Sequence, residues 1–331
     1  MIKIHNKRVI ITGAAGFIGA NLTRELIRRE AEVNAIVRPG SNLWRIEEIL
    51  PNLNLHKVDL TNRYRVKRTV DEVKPEIIFH LAAHGVYSNQ KKHHKILRTN
   101  VIGTSNLLEA TAELSYELFV HTGGSSEYGK SWKPMKETDL LKPVTYYGAT
   151  KAASTLLCLY FVRVYHKPIV VLRPFSVYGF WEAPTRLIPT AITSALHNRE
   201  MFLTTTGYRR DFVFVEDVVD AYMLTLRAGD VSGEVINIGT GEQWSNEEVV
   251  DIIQVISGRK IQIAAGTYPA RSSDTSHWVA DIQKAKKLLG WKPSNTLKAG
   301  LKKTISWFRQ HHDIYDVMGT EDSETSKNER N

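Results

Sequence analysis

The sequence predicts a parallel α/β sheet covered by helices on both faces, followed by a smaller α/β lobe. Apolar, β-branched segments such as residues 7–12 alternate with segments of helix length through the first half of the chain. Buried parallel strands have this composition, and helices must connect them. A glycine-rich turn follows the first strand, and the regular alternation weakens after about residue 180.

The predicted elements follow one another along the chain. Strands are predicted at residues 7–12, 32–37, 53–58, 77–81, 118–122, 168–173, 212–215 and 234–238. Helices are predicted at residues 20–29, 63–73, 95–114, from 147 onward, 187–196 and 246–257. Residues 266–276 have the composition of turns.

The alternation also suggests domain boundaries. Residues 1–179 are predicted to form the main sheet domain, and residues 180–315 a smaller lobe interleaved with the end of the sheet. Residues 316–331 are predicted to be a disordered tail, because the chain has no aliphatic or aromatic residue from Gly319 to Asn331.

Composition excludes several classes of protein. The 331 residues carry 44 Lys and Arg against 35 Asp and Glu, a net charge of +9, but no dense basic run that would indicate nucleic-acid binding. The chain has no apolar run long enough to span a membrane, and its first ten residues lack the apolar core of a signal peptide. The single cysteine, Cys158, excludes an internal disulfide. We therefore expect a cytoplasmic protein that has no nucleic-acid or membrane partner.

The glycine-rich turn has the spacing G-x-x-G-x-x-G, formed by Gly13, Gly16 and Gly19. Such a turn between a first strand and a first helix lets the backbone approach a pyrophosphate, and the helix N-terminus supplies N–H donors. The alternative is a merely structural turn. The position of this turn favours dinucleotide binding, and thus a Rossmann-like fold for residues 1–179.

The end of the second predicted strand bears on the choice of dinucleotide. An acidic residue there would bind the ribose 2′-hydroxyl of NAD, whereas an arginine accommodates the 2′-phosphate of NADP. This chain has Val37 followed by Arg38. We therefore expect NADP, with NAD as the alternative if Arg38 is an ordinary surface residue.

Tyr147 and Lys151 are four residues apart at the start of a predicted helix, so they share one face. A phenol is a poor acid–base group at neutral pH, but an adjacent cation favours the phenolate, so we expect Lys151 to lower the pKa of Tyr147. The pair could exchange a proton with a sugar hydroxyl or carbonyl while a nicotinamide exchanges hydride.

With these motifs in place, the chain resembles the extended short-chain dehydrogenase/reductase family, in its nucleotide-sugar epimerase/dehydratase/reductase branch. The resemblance covers about residues 7–310 and includes Thr12-Gly13-Ala14-Ala15-Gly16-Phe17-Ile18-Gly19, Asp59-Leu60, His80-Leu81-Ala82-Ala83, Tyr147-x-x-x-Lys151 and Leu172-Arg173-Pro174-Phe175. It implies that Asp59 and Leu60 flank the adenine. It further implies that Phe17 and Ile18 belong to the cofactor loop, that Leu81, Ala82 and Ala83 line the cofactor, and that Lys151 holds the nicotinamide ribose.

One position departs from the family pattern. Relatives carry a Ser or Thr that bonds the reacting oxygen where this chain has Gly124. We expect Ser125 to supply this hydroxyl, with Ser126 as the alternative. Glu127 could be the base of a dehydratase if the loop is one residue shorter, but a structural glutamate bound to nearby backbone is the favoured interpretation.

The same resemblance assigns the substrate contacts. It implies that Arg210 and Arg271 bind a diphosphate, for which guanidinium groups are well suited, and that Asp274 contacts the nucleoside ribose or orders Arg271. The alternative for Arg210 is a surface pair with Asp211 or Glu216. Ser176 stands where many relatives have Asn, which leaves that substrate contact open.

These residues lead to a functional hypothesis. We expect an enzyme: an NADP(H)-dependent reductase of a 4-keto nucleotide-diphosphate sugar, with an NAD(P)-dependent 4-epimerase as the first alternative. A dehydratase or a catalytically silent NADP-sensing regulator is favoured less. We expect no metal site, because the histidine pairs lack acidic partners, and Cys158 is expected to be a packing residue. Relatives commonly dimerise through the helix that carries Tyr147, so a homodimer is expected.

Overall fold

The computed structural model describes residues 2–85, 90, 92–204, 207–268 and 274–311. Arg271 and the predicted tail at 316–331 lie outside these residues. Within them, one sheet contains seven strands and the remaining strands form three separate pairs. The strands are β1 (Arg8–Thr12), β2 (Glu32–Val37), β3 (Asn54–Lys57), β4 (Ile77–His80), β5 (Leu118–Thr122), β6 (Ile169–Pro174), β7 (Ser176–Tyr178), β8 (Met201–Thr204), β9 (Arg209–Arg210), β10 (Phe212–Phe214), β11 (Val235–Ile238), β12 (Trp244–Ser245) and β13 (Ile263–Tyr268).

The large sheet is parallel and has the order β3-β2-β1-β4-β5-β6-β11. The order reverses on either side of β1 and β4, so these strands meet at the topological switch point where ligands bind in such sheets. The chain thus has the Rossmann-like, doubly wound fold that the sequence predicts. β11 lies at one edge of this sheet, although it comes after residue 180; the domain boundary at 179 stays a prediction.

Helices connect and cover the strands. Within the described residues they are α1 (Phe17–Arg28), α2 (Arg63–Val73), α3 (His93–Leu97), α4 (Gly103–Thr111), α5 (Tyr146–Tyr165), α6 (Leu187–His197), α7 (Val215–Thr225), α8 (Asn246–Ser257), α9 (Gln283–Leu289) and α10 (Leu297–Gln310). Short 3-10 helices lie at Glu47–Asn52 and Ser125–Glu127, and a π-helical turn lies at Arg98–Ile102.

Strand alternation directs side chains into two cores. In β1, Val9 and Ile11 belong to the cluster on one face of the sheet, whereas Ile10 belongs to the cluster on the other. All three are fully buried. Since burying one such side chain contributes about 1.5–3 kcal/mol, both faces stabilise the sheet that holds the site.

The predicted and observed elements differ most at two places. The single helix predicted at 95–114 is interrupted by a π-helical turn at Arg98–Ile102, where Asn100 accepts from the His84 amide (2.8 Å) and donates to the Thr150 hydroxyl (2.9 Å). The turns predicted at 266–276 are wrong for residues 266–268, which belong to β13. This strand forms because it pairs with β8, far away in the sequence. Residues 269–273 lie outside the described part of the chain.

Candidate active site

The glycine turn joins β1 to α1, and two of its glycines, Gly13 and Gly19, leave no space for a side chain. Gly13 has φ +74°, and a Cβ there would lie 2.7 Å from the Ala82 amide nitrogen. A Cβ on Gly19 would lie 2.1 Å from the Gly13 carbonyl oxygen. Gly16 caps α1 without a side-chain hydrogen bond, so the first N–H groups of the helix, at Phe17 and Ile18, have no acceptor within the helix or its cap. This arrangement fits the pyrophosphate of a dinucleotide.

The end of β4 is fixed beside this turn by a buried network. The Leu81 amide donates to the Thr12 carbonyl (3.1 Å), and the Ala82 amide donates to the Thr12 hydroxyl (3.2 Å). His80 bonds the Thr12 hydroxyl on one ring nitrogen (2.6 Å) and the Thr104 hydroxyl on the other (2.8 Å). Burial, with a smaller contribution from the charge of Lys151, lowers the pKa of His80 to about 3, so its ring is neutral.

The other residues predicted to contact the cofactor follow three strands: Arg38 follows β2, Asp59 and Leu60 follow β3, and Ala83 follows β4. Asp59 is half-buried and accepts from the Thr61 amide (2.8 Å), while the Leu60 carbonyl accepts from the side-chain amide of Asn106 (2.8 Å). Ala83 is half-buried. Arg38 is exposed directly after β2, and its charge is one of the groups that lower the pKa of His84, after burial and Lys95. These positions share the carboxyl edge of the sheet.

Tyr147 and Lys151 lie in the first two turns of α5, which Thr145 caps by accepting from the Gly148 amide (3.0 Å). Tyr147 is half-buried and Lys151 is 3% exposed. The Lys151 ammonium donates to the Thr122 carbonyl at the end of β5. Burial lowers the pKa of Lys151 to about 8, against the opposing effect of Glu127.

The expectation that Lys151 lowers the pKa of Tyr147 is wrong for this structure. Burial, followed by the negative charge of Glu127, raises the pKa of Tyr147 well above its ordinary value, although Arg186 acts in the opposite direction. Lys151 is not among the groups that shift this pKa, and its ammonium donates to the Thr122 carbonyl; burial of the phenol is the largest cause. At neutral pH the side chain of Tyr147 is therefore the protonated phenol.

The turn Ser125–Glu127 faces α5. The Ser125 hydroxyl accepts from the indole N–H of Trp278 (3.1 Å). The Ser126 hydroxyl is buried and, within the described residues, has no hydrogen-bond partner. Gly124 is extended (φ 172°), and a Cβ there would approach just the Ser126 hydroxyl, at 3.7 Å. The backbone would thus accept another residue at 124, so the missing hydroxyl is a feature of the sequence and is not imposed by the fold.

Glu127 is a structural residue in this arrangement. One carboxylate oxygen accepts from the Gly124 amide (2.8 Å), and the other pairs with the Arg173 guanidinium (2.8 and 2.9 Å). Arg173 also donates to the Tyr128 hydroxyl (2.9 Å), which donates to Asn237 (2.7 Å). The network agrees with the favoured interpretation of Glu127 and does not leave the carboxylate free to act as a base.

Two of the predicted substrate residues, Arg210 and Ser176, lie on short strands outside the large sheet, and Asp274 lies outside any strand. Arg210 in β9 pairs with Asp274 (2.9 Å), and its guanidinium lies 5.3 Å from the centre of the Trp278 ring. The alternative pairs for Arg210 are not formed. Asp211 bonds Thr240 and neighbouring amides, and Glu216 pairs with Lys303.

Two further expectations concern Asp274 and Ser176. Asp274 is predicted to contact the nucleoside ribose or to order Arg271; Arg271 lies outside the described residues, and among these residues Asp274 pairs with Arg210. Ser176 is half-buried in β7, where its amide donates to the Asp211 carbonyl (2.9 Å).

Other sites are not evident in the described part of the chain. No group of three or more His, Cys, Asp or Glu side chains there is arranged to hold a metal ion. None of the described helices is long and apolar enough to cross a membrane. Cys158 is fully buried in α5, and burial raises the pKa of its thiol, so it packs rather than reacts.

The fold and the Tyr147–Lys151 pair define an enzyme of the extended short-chain dehydrogenase/reductase type. The model of the NAD-dependent epimerase/dehydratase family matches residues 9–239, and the chain belongs to this family. An uncharacterised UDP-glucose epimerase of Bacillus subtilis is 33% identical over 91% of this chain and 97% of its own length. A dTDP-glucose 4,6-dehydratase of Neisseria meningitidis is 30% identical over 91% of this chain and 93% of its own length.

Solved structures show the same similarity. The UDP-glucose 4-epimerase of Thermotoga maritima, solved with UDP-glucose, superposes with a TM-score of 0.85 at 29% identity, over 92% of this chain and 99% of that one. The UDP-glucuronic acid 4-epimerase of Bacillus cereus, solved with UDP-glucuronic acid and NAD, gives a TM-score of 0.82 at 28% identity, over 91% and 99% of the two chains. The family thus uses a nicotinamide dinucleotide and nucleotide sugars.

Proposed function

We propose that this enzyme is an NADP(H)-dependent oxidoreductase that reduces a keto group at C4 of a nucleotide-diphosphate sugar. The observation that supports the proposal is the pair Tyr147 and Lys151 in the first turns of α5, the helix that packs against the turn carrying Ser125. A bound nicotinamide would supply hydride to the sugar carbon. Tyr147 donates the proton to the sugar oxygen, Ser125 donates a hydrogen bond to the same oxygen, and Lys151 holds the nicotinamide ribose.

Both candidate reactions use Tyr147, but they start from opposite protonation states of its side chain. A reductase begins with a proton donor, whereas an epimerase begins by removing a proton from the C4 hydroxyl and needs a phenolate. Burial and the charge of Glu127 raise the pKa of Tyr147, so the residue rests as the phenol from which a reduction starts. Glu127, held by Arg173 and the Gly124 amide, does not supply the separate base that dehydration requires.

A 4-epimerase is the second candidate, because two of the solved structures that match more than nine-tenths of the chain are 4-epimerases. Incubation with UDP-glucose, UDP-glucuronic acid, dTDP-glucose and their 4-keto-6-deoxy derivatives, each with NADPH and with NAD, separates the candidates. A reductase consumes NADPH and yields a sugar with a hydroxyl in place of the C4 keto group. Interconversion of two sugars without net loss of cofactor would replace the reductase by the epimerase.

The choice of NADP rests on the end of β2, where no carboxylate follows Val37 and Arg38 is exposed beside the cofactor edge. We expect NADPH to bind more tightly than NADH by about 1.5–3 kcal/mol, the usual contribution of a hydrogen bond to a charged group. Arg38→Ala should narrow this difference, and Arg68→Ala, an exposed arginine on α2, should not. Equal affinities of the native protein in calorimetric titrations would contradict the assignment.

We assign the diphosphate to Arg210, with Arg271, and the ribose to Asp274; Ser176 is assigned to the substrate site as well. Arg210→Ala removes a guanidinium and leaves the Asp274 carboxylate without this partner, so it should raise KM more than it lowers kcat. Arg209→Ala is the matched control, because Arg209 pairs instead with Glu248 (2.8 Å). Steady-state kinetics in which Arg210→Ala leaves KM unchanged would place the diphosphate elsewhere.

A homodimer is proposed from the outer face of α5. Leu156, Tyr160 and Val164 are four residues apart, so they form one stripe, and they are 60%, 47% and 53% exposed. An apolar stripe of this kind on a monomer is costly, and a second copy of the chain would cover it. Sedimentation velocity should give twice the 37.5 kDa of one chain; a single-chain mass at micromolar concentration would contradict the dimer.

The compartment is proposed to be the cytoplasm. The chain has one cysteine, Cys158, and it is buried, so the fold depends on no disulfide and suits a reducing compartment. Fractionation of the source cells would test this location.

A further inference from the structure

Trp278 connects the two parts of the proposed substrate site. Its indole N–H donates to the Ser125 hydroxyl (3.1 Å), and its ring lies beneath the Arg210 guanidinium, 5.3 Å from the ring centre. The side chain is 5% exposed, and its backbone amide donates to the side chain of Gln243 (2.8 Å). The indole is therefore held in place between the catalytic turn and the residues assigned to the diphosphate.

The chemistry of the two groups gives this hydrogen bond a direction. An indole N–H can donate and cannot accept, whereas a serine hydroxyl donates once and accepts twice. Ser125 consequently uses a lone pair toward Trp278 and keeps its own proton for another oxygen. The contact also selects one of the staggered rotamers that a serine on this turn could adopt.

We propose that Trp278 is a positioning residue, whose indole N–H orients Ser125 so that the serine proton points to the reacting sugar oxygen. The same ring packs under the Arg210 guanidinium. Trp278 therefore contacts both the residue assigned to the diphosphate and the residue assigned to the sugar oxygen. The inference rests on the proposed function, because it assigns Ser125 to the reacting oxygen.

The variant Trp278→Phe tests this role, because it keeps an aromatic ring under Arg210 and removes the N–H. We expect kcat to fall about five- to tenfold, as for the loss of one oriented hydrogen bond. The affinity for UDP, measured by calorimetry, should stay within about twofold of the native value, since the ring and Arg210 remain. Turnover is measured with the sugar from the panel above that the native enzyme converts fastest.

Trp291→Phe is the matched control. The indole of Trp291 is also buried and also donates one hydrogen bond, to the Asp217 carbonyl (2.9 Å), but it is not part of the site. It should lower the free energy of unfolding by an amount similar to that of Trp278→Phe and leave kcat unchanged. A fall in kcat in both variants would show a general loss of packing and overturn the positioning role.

A double-mutant cycle with Ser125→Ala separates a role through Ser125 from any other role. If Trp278 acts by orienting Ser125, Trp278→Phe should cost nothing further in the Ser125→Ala background. An unchanged kcat in the single variant, or the same fold-loss in both backgrounds, would overturn the inference while the proposed function stands. A native enzyme that converts none of the panel sugars would remove the proposed function, and this inference would fall with it.

Discussion

Tyr147→Phe is expected to lower turnover by roughly 10²–10⁴-fold, the usual contribution of a positioned acid–base group. The substitution keeps the ring in the first turn of α5 and removes the proton that the reduction needs at the sugar oxygen. NADPH affinity should survive, because the glycine turn and Arg38 lie on other elements. Turnover is measured as NADPH oxidation, and affinity by titration of the same protein.

The neighbouring Tyr146 supplies the control for this variant. Tyr146 is 39% exposed and stacks on His93, with ring centres 4.3 Å apart, so Tyr146→Phe changes the same helical turn without touching the proposed donor. It should retain near-native turnover. Near-native turnover of Tyr147→Phe would refute Tyr147 as the proton donor.

Breaking the buried ion pair between Glu127 and Arg173 is expected to have the largest effect on stability. The two side chains are 0% and 3% exposed, so removing the carboxylate leaves an unpaired guanidinium inside the protein. Glu127→Ala should therefore lower the free energy of unfolding by about 3–5 kcal/mol, measured by urea denaturation. Glu216→Ala breaks a pair in which both side chains are 48% exposed, and it should cost about 0–1 kcal/mol.

The same pair can be tested for its effect on the pH profile. Glu127 raises the pKa of both Tyr147 and Lys151, so Glu127→Gln, which keeps the shape but not the charge, should move both pKa values down. The limb of the kcat/KM profile that reports Lys151, near pH 8 in the native protein, should then shift to lower pH. An unshifted profile in a folded variant would show that the Glu127 charge does not reach the catalytic pair. For the stability prediction, a fall of about 1 kcal/mol or less in the free energy of unfolding of Glu127→Ala would contradict the structural role of the ion pair.

Elements with strong local signals could be predicted from the sequence alone. α2 and α8 have the predicted bounds, because Asn62 and Ser245 cap their first turns and left-handed residues, Lys74 and Gly258, end them. The strand β13 could not be predicted, because its formation depends on pairing with β8. The interruption at Arg98–Ile102 depends on contacts of Asn100 with loop and α5 residues that no local pattern contains.

In the candidate site too, local patterns could be predicted from the sequence, whereas contacts between distant residues could not. The glycine turn and the Tyr147–Lys151 pair are local patterns, and the structure brings both to the carboxyl edge of the sheet. The bond between Ser125 and Trp278 joins residues 153 positions apart, so spacing could not reveal it. The predicted direction of the pKa shift of Tyr147 is wrong because burial and the charge of Glu127 raise this pKa, and neither effect can be judged without the fold.

The most direct measurement of the proposed chemistry follows the hydride itself. NADPH that carries deuterium at the transferable position of the nicotinamide is incubated with the enzyme and a 4-keto-6-deoxy nucleotide sugar, and the product is analysed by NMR. The account predicts deuterium at C4 of the sugar, with one equivalent of NADPH oxidised per product, and loss of both in Tyr147→Phe. Deuterium at another carbon, or a reduced product that carries none, would contradict it.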